Sequence, residues 1–293
     1  MTDAIVIREV GPRDGLQAEA PVPVEDRVRL IEALAAAGLR EIEAVSFVSP
    51  KAVPSMASPG EVIASVARAD GVRYLGLVPN VRGAQLAVEA GVDALTFTAS
   101  ASAAYNEKNV KMSIEESIEE LAGIRAAAGE LEIDAVISCA FGSPYEGDIR
   151  PERVGLLSDR LLDAGATTLS MADTTGMATP RRVRELVAEV GPAVGLHLHE
   201  TRGTALVNAY AAMELGVRRF DTSVGGLGGS PFAAGAAGNL ATEDLVHLCD
   251  DLGVVTGVSL DLLLEASALV AAIVGHPVPS RIAAAGPRSR RAS

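Results

Sequence analysis

Two histidines spaced two apart, in His197-Leu198-His199, are the residues of this chain best suited to chemistry. They lie in a short apolar run, residues 195–199, and on a strand residues two apart project to one face, so both imidazoles point the same way. Paired neutral imidazoles make half of a divalent-metal site, and oxygen donors from other elements must complete it. One buried histidine is most often a hydrogen-bonded core residue. Two on one face, in a chain with four histidines in all, shift the balance toward a metal.

Oxygen donors stand at several places. Asp14 follows the first apolar run directly; an Asp-Gly pair there is often only a turn, so turn and ligand both stay open. Its neighbour Arg13 is a permanent planar cation able to stabilise an enolate or carboxylate oxygen. Glu43 and Asp173 fall where burial is expected, and buried acids need cationic partners, of which Arg13 is the obvious one. Asn239 opens a helical pattern, either as an N-cap or as a ligand through its amide oxygen. The pairs Glu115-Glu116, Glu119-Glu120 and Asp250-Asp251 read as solvated helix faces, and His247 and His276 as structural.

These side chains need elements to bring them together. Short β-branched runs alternate with longer amphipathic ones, the pattern of βα units around a parallel sheet. The strand-like runs are residues 4–10, 41–47, 74–78, 94–98, 134–140, 168–171, 195–199 and 219–224, eight in all. Between them, residues 25–37 carry Val28, Ile31 and Leu34 at helical spacing, and residues 114–128 carry Ile118, Leu121 and Ile124 on one stripe. Gly38, Gly91 and Gly165 follow such runs, where a left-handed cap ends a helix. Eight units predict a (β/α)₈ TIM barrel over residues 1–275, whose site lies at the C-terminal ends of the strands. A helix at 242–251 completes the set, and one at 260–274 is surplus, expected as an additional C-terminal helix packed on the barrel. The rival open sheet wants GxGxxG after its first strand, and Gly11-Pro12-Arg13-Asp14-Gly15 lacks that spacing. The glycine-rich stretch 225–238 is too long for an ordinary connection and is expected to be functional. Residues 276–293, with a basic run from Arg288 to Arg291, read as a disordered tail.

A formal charge of −13 works against nucleic acid as a partner, because a phosphate backbone calls for a basic face. The hydrophobic content of 48% is ample for a large core. Cys139 and Cys249 are too few for a disulfide framework, which points to a reducing compartment, the cytoplasm. A strand pattern that begins by Ala4 leaves no room for a leader peptide, and no apolar run reaches the ~18 to 20 residues of a membrane span.

Several segments resemble one known family. They are Glu9-Val10-Gly11-Pro12-Arg13-Asp14-Gly15-Leu16-Gln17; Ser46-Phe47-Val48-Ser49-Pro50-Lys51, with Glu43 before it; Ser138-Cys139-Ala140; Pro144-Tyr145-Glu146-Gly147; and Gly238-Asn239-Leu240-Ala241-Thr242-Glu243-Asp244-Leu245-Val246. They are similar to the 3-hydroxy-3-methylglutaryl-CoA lyases of the wider DRE-TIM metallolyase group, collinearly from residue 5 to about 275. The resemblance implies that Asp14, His197, His199 and Asn239 bind Mg²⁺ or Mn²⁺, that Arg13 stabilises an enolate, and that Glu43 and Asp173 shape the acid–base network. In the family's reaction the metal chelates the substrate's tertiary hydroxyl and distal carboxylate. Asp14 or His197 by analogy takes the hydroxyl proton, and the bond between the second and third carbons breaks. Acetyl-CoA leaves as its enolate, and the other product is a β-keto acid, acetoacetate. A small acyl-CoA substrate and a homodimer follow from the same resemblance.

The sequence departs from the family at three points, one of them a missing cysteine at the C-terminal end, which removes the thiol regulation expected of some relatives. Ser230 stands just before Pro231 where the family carries a cysteine, and a thiol, with a pKa near ~8.5, gives up a proton far more readily than an aliphatic hydroxyl. Ser230 is therefore a poor proton donor in that place. Glu200-Thr201-Arg202 replaces the usual Asp-Thr-Tyr, and Arg202 adds a cation near the metal. The changes at Ser230 and at Glu200-Thr201-Arg202 bear on the substrate, which the resemblance implies is hydroxymethylglutaryl-CoA or a related branched 3-hydroxyacyl-CoA. Two other readings stay open: a metal-dependent aldolase of 4-hydroxy-2-oxo acids, and a catalytically weakened relative that binds acyl-CoA or metal.

Overall fold

A computed structural model of the chain describes residues 4–229 and 237–288. Its centre is a closed barrel of eight strands in chain order, all neighbours parallel: β1 (Val6–Glu9), β2 (Glu41–Ser46), β3 (Arg73–Leu77), β4 (Ala94–Ser100), β5 (Glu132–Ser138), β6 (Thr168–Asp173), β7 (Gly195–Leu198) and β8 (Arg219–Thr222). Each coincides with one of the eight predicted runs to within two residues at either end. Parallel strands must be covered on both faces, and the buried Ile42, Val45, Leu95, Phe97, Ile133, Ile137, Leu196 and Phe220 meet that need. In β3 the small Gly76 admits the ring of Phe47, which lies 2.9 Å from where a Cβ would stand.

The helices form the outer layer: α1 (Val24–Ala36), α2 (Pro59–Ser65), α3 (Val81–Ala90), α4 (Ala103–Val110), α5 (Ile114–Ala128), α6 (Pro151–Asp163), α7 (Pro180–Val190), α8 (Ala205–Glu214), α9 (Thr242–Leu252), α10 (Leu260–Val274) and α11 (Arg281–Ala285). Their starts are chemically marked. In α5, Ser113 and Glu116 exchange hydrogen bonds in a capping box, and Asn80 and Ser102 cap α3 and α4 with side-chain oxygens. The surplus helix α10 packs against α1, burying Leu263, Ala266 and Val270. Among the described residues, no helix is long and apolar enough to cross a membrane.

The C-terminal stretch corrects one expectation. Residues 276–288, read from sequence as part of a disordered tail, fold back onto the domain. Ser280 N donates to Gly225 O at 2.8 Å, Ser280 Oγ to Asp244 Oδ1 at 2.8 Å, and α11 follows against α9. Periodicity missed this because the helix is only five residues long and buries none of them, so its placement comes from polar contacts. Arg288 pairs with Asp251 at 2.6 Å, whereas Arg290 and Arg291 lie outside the described residues, as does Ser230.

Candidate metal centre

Three chain segments converge at the C-terminal mouth of the barrel. His197 comes from β7, and His199, one residue beyond the strand, forms a lone bridge with Asn239 on the segment that returns toward α9. The two imidazole rings sit on one side with centroids 5.0 Å apart. Asp14 belongs to a tight helical turn, Gly11–Gly15, directly after β1, where its N–H donates to Val10 O at 2.7 Å. Its Oδ2 is 3.9 Å from His197 Nε2, and among the described residues Asp14, His197 and His199 each offer one ligand atom within 4.8 Å of the others.

Asn239 joins this group instead of capping a helix, since the residue before α9 is Ala241. Its Nδ2 donates to Asp14 Oδ2 at 2.8 Å and to Leu227 O at 2.9 Å. That leaves Asn239 Oδ1 as a buried oxygen with no partner. Gly228, with φ of 101°, keeps the loop close here: a Cβ on it would lie 2.5 Å from Asn239 Nδ2.

The charge states of Asp14 and His199 suit a cation. Burial works to raise the Asp14 carboxyl, but the charges of Arg13, His197 and His199 and the Asn239 bond outweigh it and hold the group at about 2. Burial, helped by the neighbouring His197, pushes His199 down to about 4, so its ring is neutral at pH 7. For His197 the same burial is overcome by the Asp221 carboxylate, and its pKa rises. Both rings are bonded through Nδ1, His197 to Asp221 Oδ2 at 3.1 Å and His199 to the Asp173 carbonyl at 3.2 Å. Nε2 is then the atom each ring offers. One carboxylate, two imidazole nitrogens and a spare amide oxygen fit a divalent metal ion.

Arg13 stands beside this group, its guanidinium bound to Glu43 Oε2 through Nε at 2.6 Å and to Asp14 Oδ1 through Nη1 at 2.6 Å. Glu43 also accepts from Thr96 Oγ1 inside the barrel. Burial raises the Asp173 carboxyl to about 6; its Oδ1 accepts the N–H groups of Met177 and Ala178, and its Oδ2 is buried without a partner. Arg202 donates through Nη1 to the carbonyls of Thr175 and Gly176, so it ties the loop after β7 to the loop after β6. Thus Arg13, Asp14, Glu43, Asp173, His197, His199 and Asn239 are all at the mouth. Sequence reasoning passed over Asp221, Arg8 and Glu9, whose charges inside strand patterns were the available signal.

The sequence model of the HMGL-like family matches residues 4–270. The chain is similar to the mitochondrial hydroxymethylglutaryl-CoA lyase of Mus musculus, with 41% identity over 289 residues, 96% of this chain and 89% of that one. It is 42% identical over 285 residues to the 3-hydroxy-3-isohexenylglutaryl-CoA/hydroxy-methylglutaryl-CoA lyase of Pseudomonas aeruginosa, covering 94% of this chain and 95% of that one. Among solved structures, an HMG-CoA lyase from Acinetobacter baumannii in complex with coenzyme A and 3-methylmalate superposes with a TM-score of 0.94 at 41% identity, over 99% of this chain and 98% of that one.

Proposed function

Because this chain belongs to the HMGL-like family, we propose that it is a metal-dependent carbon–carbon lyase acting on 3-hydroxy-3-methylglutaryl-CoA or a related branched 3-hydroxyacyl-CoA, with acetyl-CoA and a β-keto acid such as acetoacetate as products. The observation that carries the reading is the convergence of Asp14, His197 and His199 within 4.8 Å, beside the unpartnered Oδ1 of Asn239. A Mg²⁺ or Mn²⁺ ion held by these four would supply Lewis-acid chemistry, acidifying a hydroxyl bound to it.

The protein's own groups do the rest. Asp14, ionised and gripped on Oδ1 by Arg13, keeps Oδ2 toward His197, and one of these two, Asp14 or His197, accepts the hydroxyl proton. Arg13 is fixed by Glu43 through Nε and Nη2 and by Asp14 through Nη1, and the second N–H on Nη1 and on Nη2 can serve the oxygen that gains charge when the bond breaks. Asp173 Oδ2, lacking a protein partner, is where a proton can be held or passed on. Ser230 belongs to the reading on the resemblance alone, in the place of the family's loop cysteine. The reading also takes the enzyme as cytoplasmic, in keeping with two free buried cysteines, and as a homodimer, which rests on the resemblance.

The test is direct. With Mg²⁺ and hydroxymethylglutaryl-CoA or a longer branched homologue, the purified protein should release acetyl-CoA; chelation should stop release and added Mn²⁺ restore it. Cleavage of a 4-hydroxy-2-oxo acid with no CoA ester turned over would assign the chain to the aldolases instead. Mn²⁺ binding with no turnover of any of these substrates would point to a weakened relative.

A further inference from the structure

We infer that Arg8 and Asp221, deep in the barrel, are positioning residues for the metal centre: Arg8 fixes the Asp221 carboxylate, and that carboxylate fixes the ring of His197. The inference rests on the proposed metal site and concerns what holds one of its ligands.

A fully charged arginine is an unusual filling for a barrel interior, where branched apolar side chains dominate. Arg8 is 6% exposed and Asp221 is 5% exposed. Strand register sets them side by side, since Arg8 pairs with Asp221 across β1 and β8 and His197 pairs with Asp221 across β7 and β8. Paired residues on parallel strands project to the same face, so the three side chains lie in one layer of the interior.

Within that layer the grip is two-pronged. Arg8 Nε donates to Asp221 Oδ1 at 2.8 Å and Nη2 to Asp221 Oδ2 at 2.6 Å, the geometry that fixes a carboxylate plane. Arg8 is itself anchored, with Nη1 on Asp134 Oδ2 at 2.8 Å and Nη2 on Ser170 Oγ at 3.2 Å. Asp221 Oδ2 faces His197 Nδ1 at 3.1 Å. A ring that offers Nε2 to a cation must carry its proton on Nδ1, and an ionised acceptor there selects that tautomer and sets the ring plane. The burial of that acceptor would be costly without Arg8.

The two histidines are therefore held differently. His199 leans on the Asp173 backbone carbonyl, which no side-chain substitution removes, whereas His197 depends on a chain of side chains. If the buried ions only hold the fold together, removing any of them should lower stability alone. Arg219 serves as the comparison: it donates to Asp134 Oδ1 at 2.9 Å in the same network and has no bond to Asp221 or His197.

The experiment titrates Mn²⁺ into full-length wild type, Asp221→Asn, Arg8→Lys and Arg219→Gln, following the free ion by electron paramagnetic resonance and checking each fold by circular dichroism. Asp221→Asn should weaken Mn²⁺ binding about 10- to 100-fold, the range for loss of an outer-shell partner, and Arg8→Lys, which keeps the charge but not the fork, several-fold. Arg219→Gln should bind as wild type whatever its melting temperature. Wild-type affinity in a folded Asp221→Asn, or an equal loss in Arg219→Gln, would overturn the inference. Should Asp221→Asn not fold, Arg8→Lys decides in its place, with wild-type affinity counting against. Failure of the wild type to bind Mn²⁺ at all would instead sink the metal site itself.

Discussion

Arg13 is held from two sides, by Glu43 and by Asp14, and this makes a long side chain a fixed donor. The cost of placing a guanidinium where it is 8% exposed is offset by two carboxylates, which together with their hydrogen bonds raise its pKa against the opposing effect of burial. Removing the cation should therefore act on the chemical step: Arg13→Met should lower kcat on the order of 10²- to 10³-fold, as loss of an oxyanion-stabilising donor does, with Mn²⁺ binding retained. Steady-state kinetics beside a Mn²⁺ titration check this, and a change confined to KM would deny Arg13 its role at the reacting oxygen. Residues of this rank were legible in sequence where type and spacing were unusual, as with two histidines on one strand face or an arginine next to an aspartate at a strand end. Asp221 and Arg8 were not, because a single charge in a strand run has no visible partner until eight strands close and bring residues 213 positions apart into contact.

Between the ends of β1 and β8 the chain uses a buried acid as a joint. Glu9 Oε1 accepts the N–H groups of Gly11 at 2.7 Å and Val224 at 2.8 Å, and Thr242 Oγ1 donates to Oε2 at 2.6 Å. The joint ties the turn bearing Asp14 to the segment leading toward Asn239. Burial raises Glu9 to about 8, the three hydrogen bonds only partly opposing it, and burial likewise raises the nearby Glu243 to about 7. Both values lie above the ordinary 4.5, so the stability these groups contribute is complete below about that pH and is lost as pH rises through 7 and 8. A neutral Glu9 could donate from Oε2 to Thr242 while Oε1 keeps its two backbone partners, and a glutamine amide can do the same. Glu9→Gln should thus leave the melting temperature near wild type at pH 4 and raise it relative to wild type by a margin that grows as pH climbs toward 8 and is full at pH 9. Equal pH profiles for the two proteins by circular dichroism would show that Glu9 stays ionised in the fold.

At the scale of the whole molecule, the last helices do more than close the barrel. Val278 lies against Gly225, where a Cβ would meet its Cγ1 at 2.7 Å, and Ser280 N bonds to Gly225 O at 2.8 Å, so the C-terminal stretch seats the start of the glycine-rich loop. Deleting residues 276–293 should lower the melting temperature, by about 2–4 °C for each kcal/mol of stability removed, and weaken Mn²⁺ binding through Asn239. Unchanged values for both would return the segment to the status of a tail. The barrel itself was readable from the linear chain, since eight apolar runs alternating with amphipathic ones leave few ways to cover both faces of a parallel sheet, and the metal-ligand candidates followed from where those runs end. Local pattern carries that much because periodicity and residue type act over a few positions. Which of the open alternatives each residue took was decided by closure: Asp14 as more than a turn, Asn239 beside Asp14 instead of capping α9, Arg202 as a loop tie, and Arg8 behind Asp221 all depend on contacts across the barrel, whose distances no local pattern encodes.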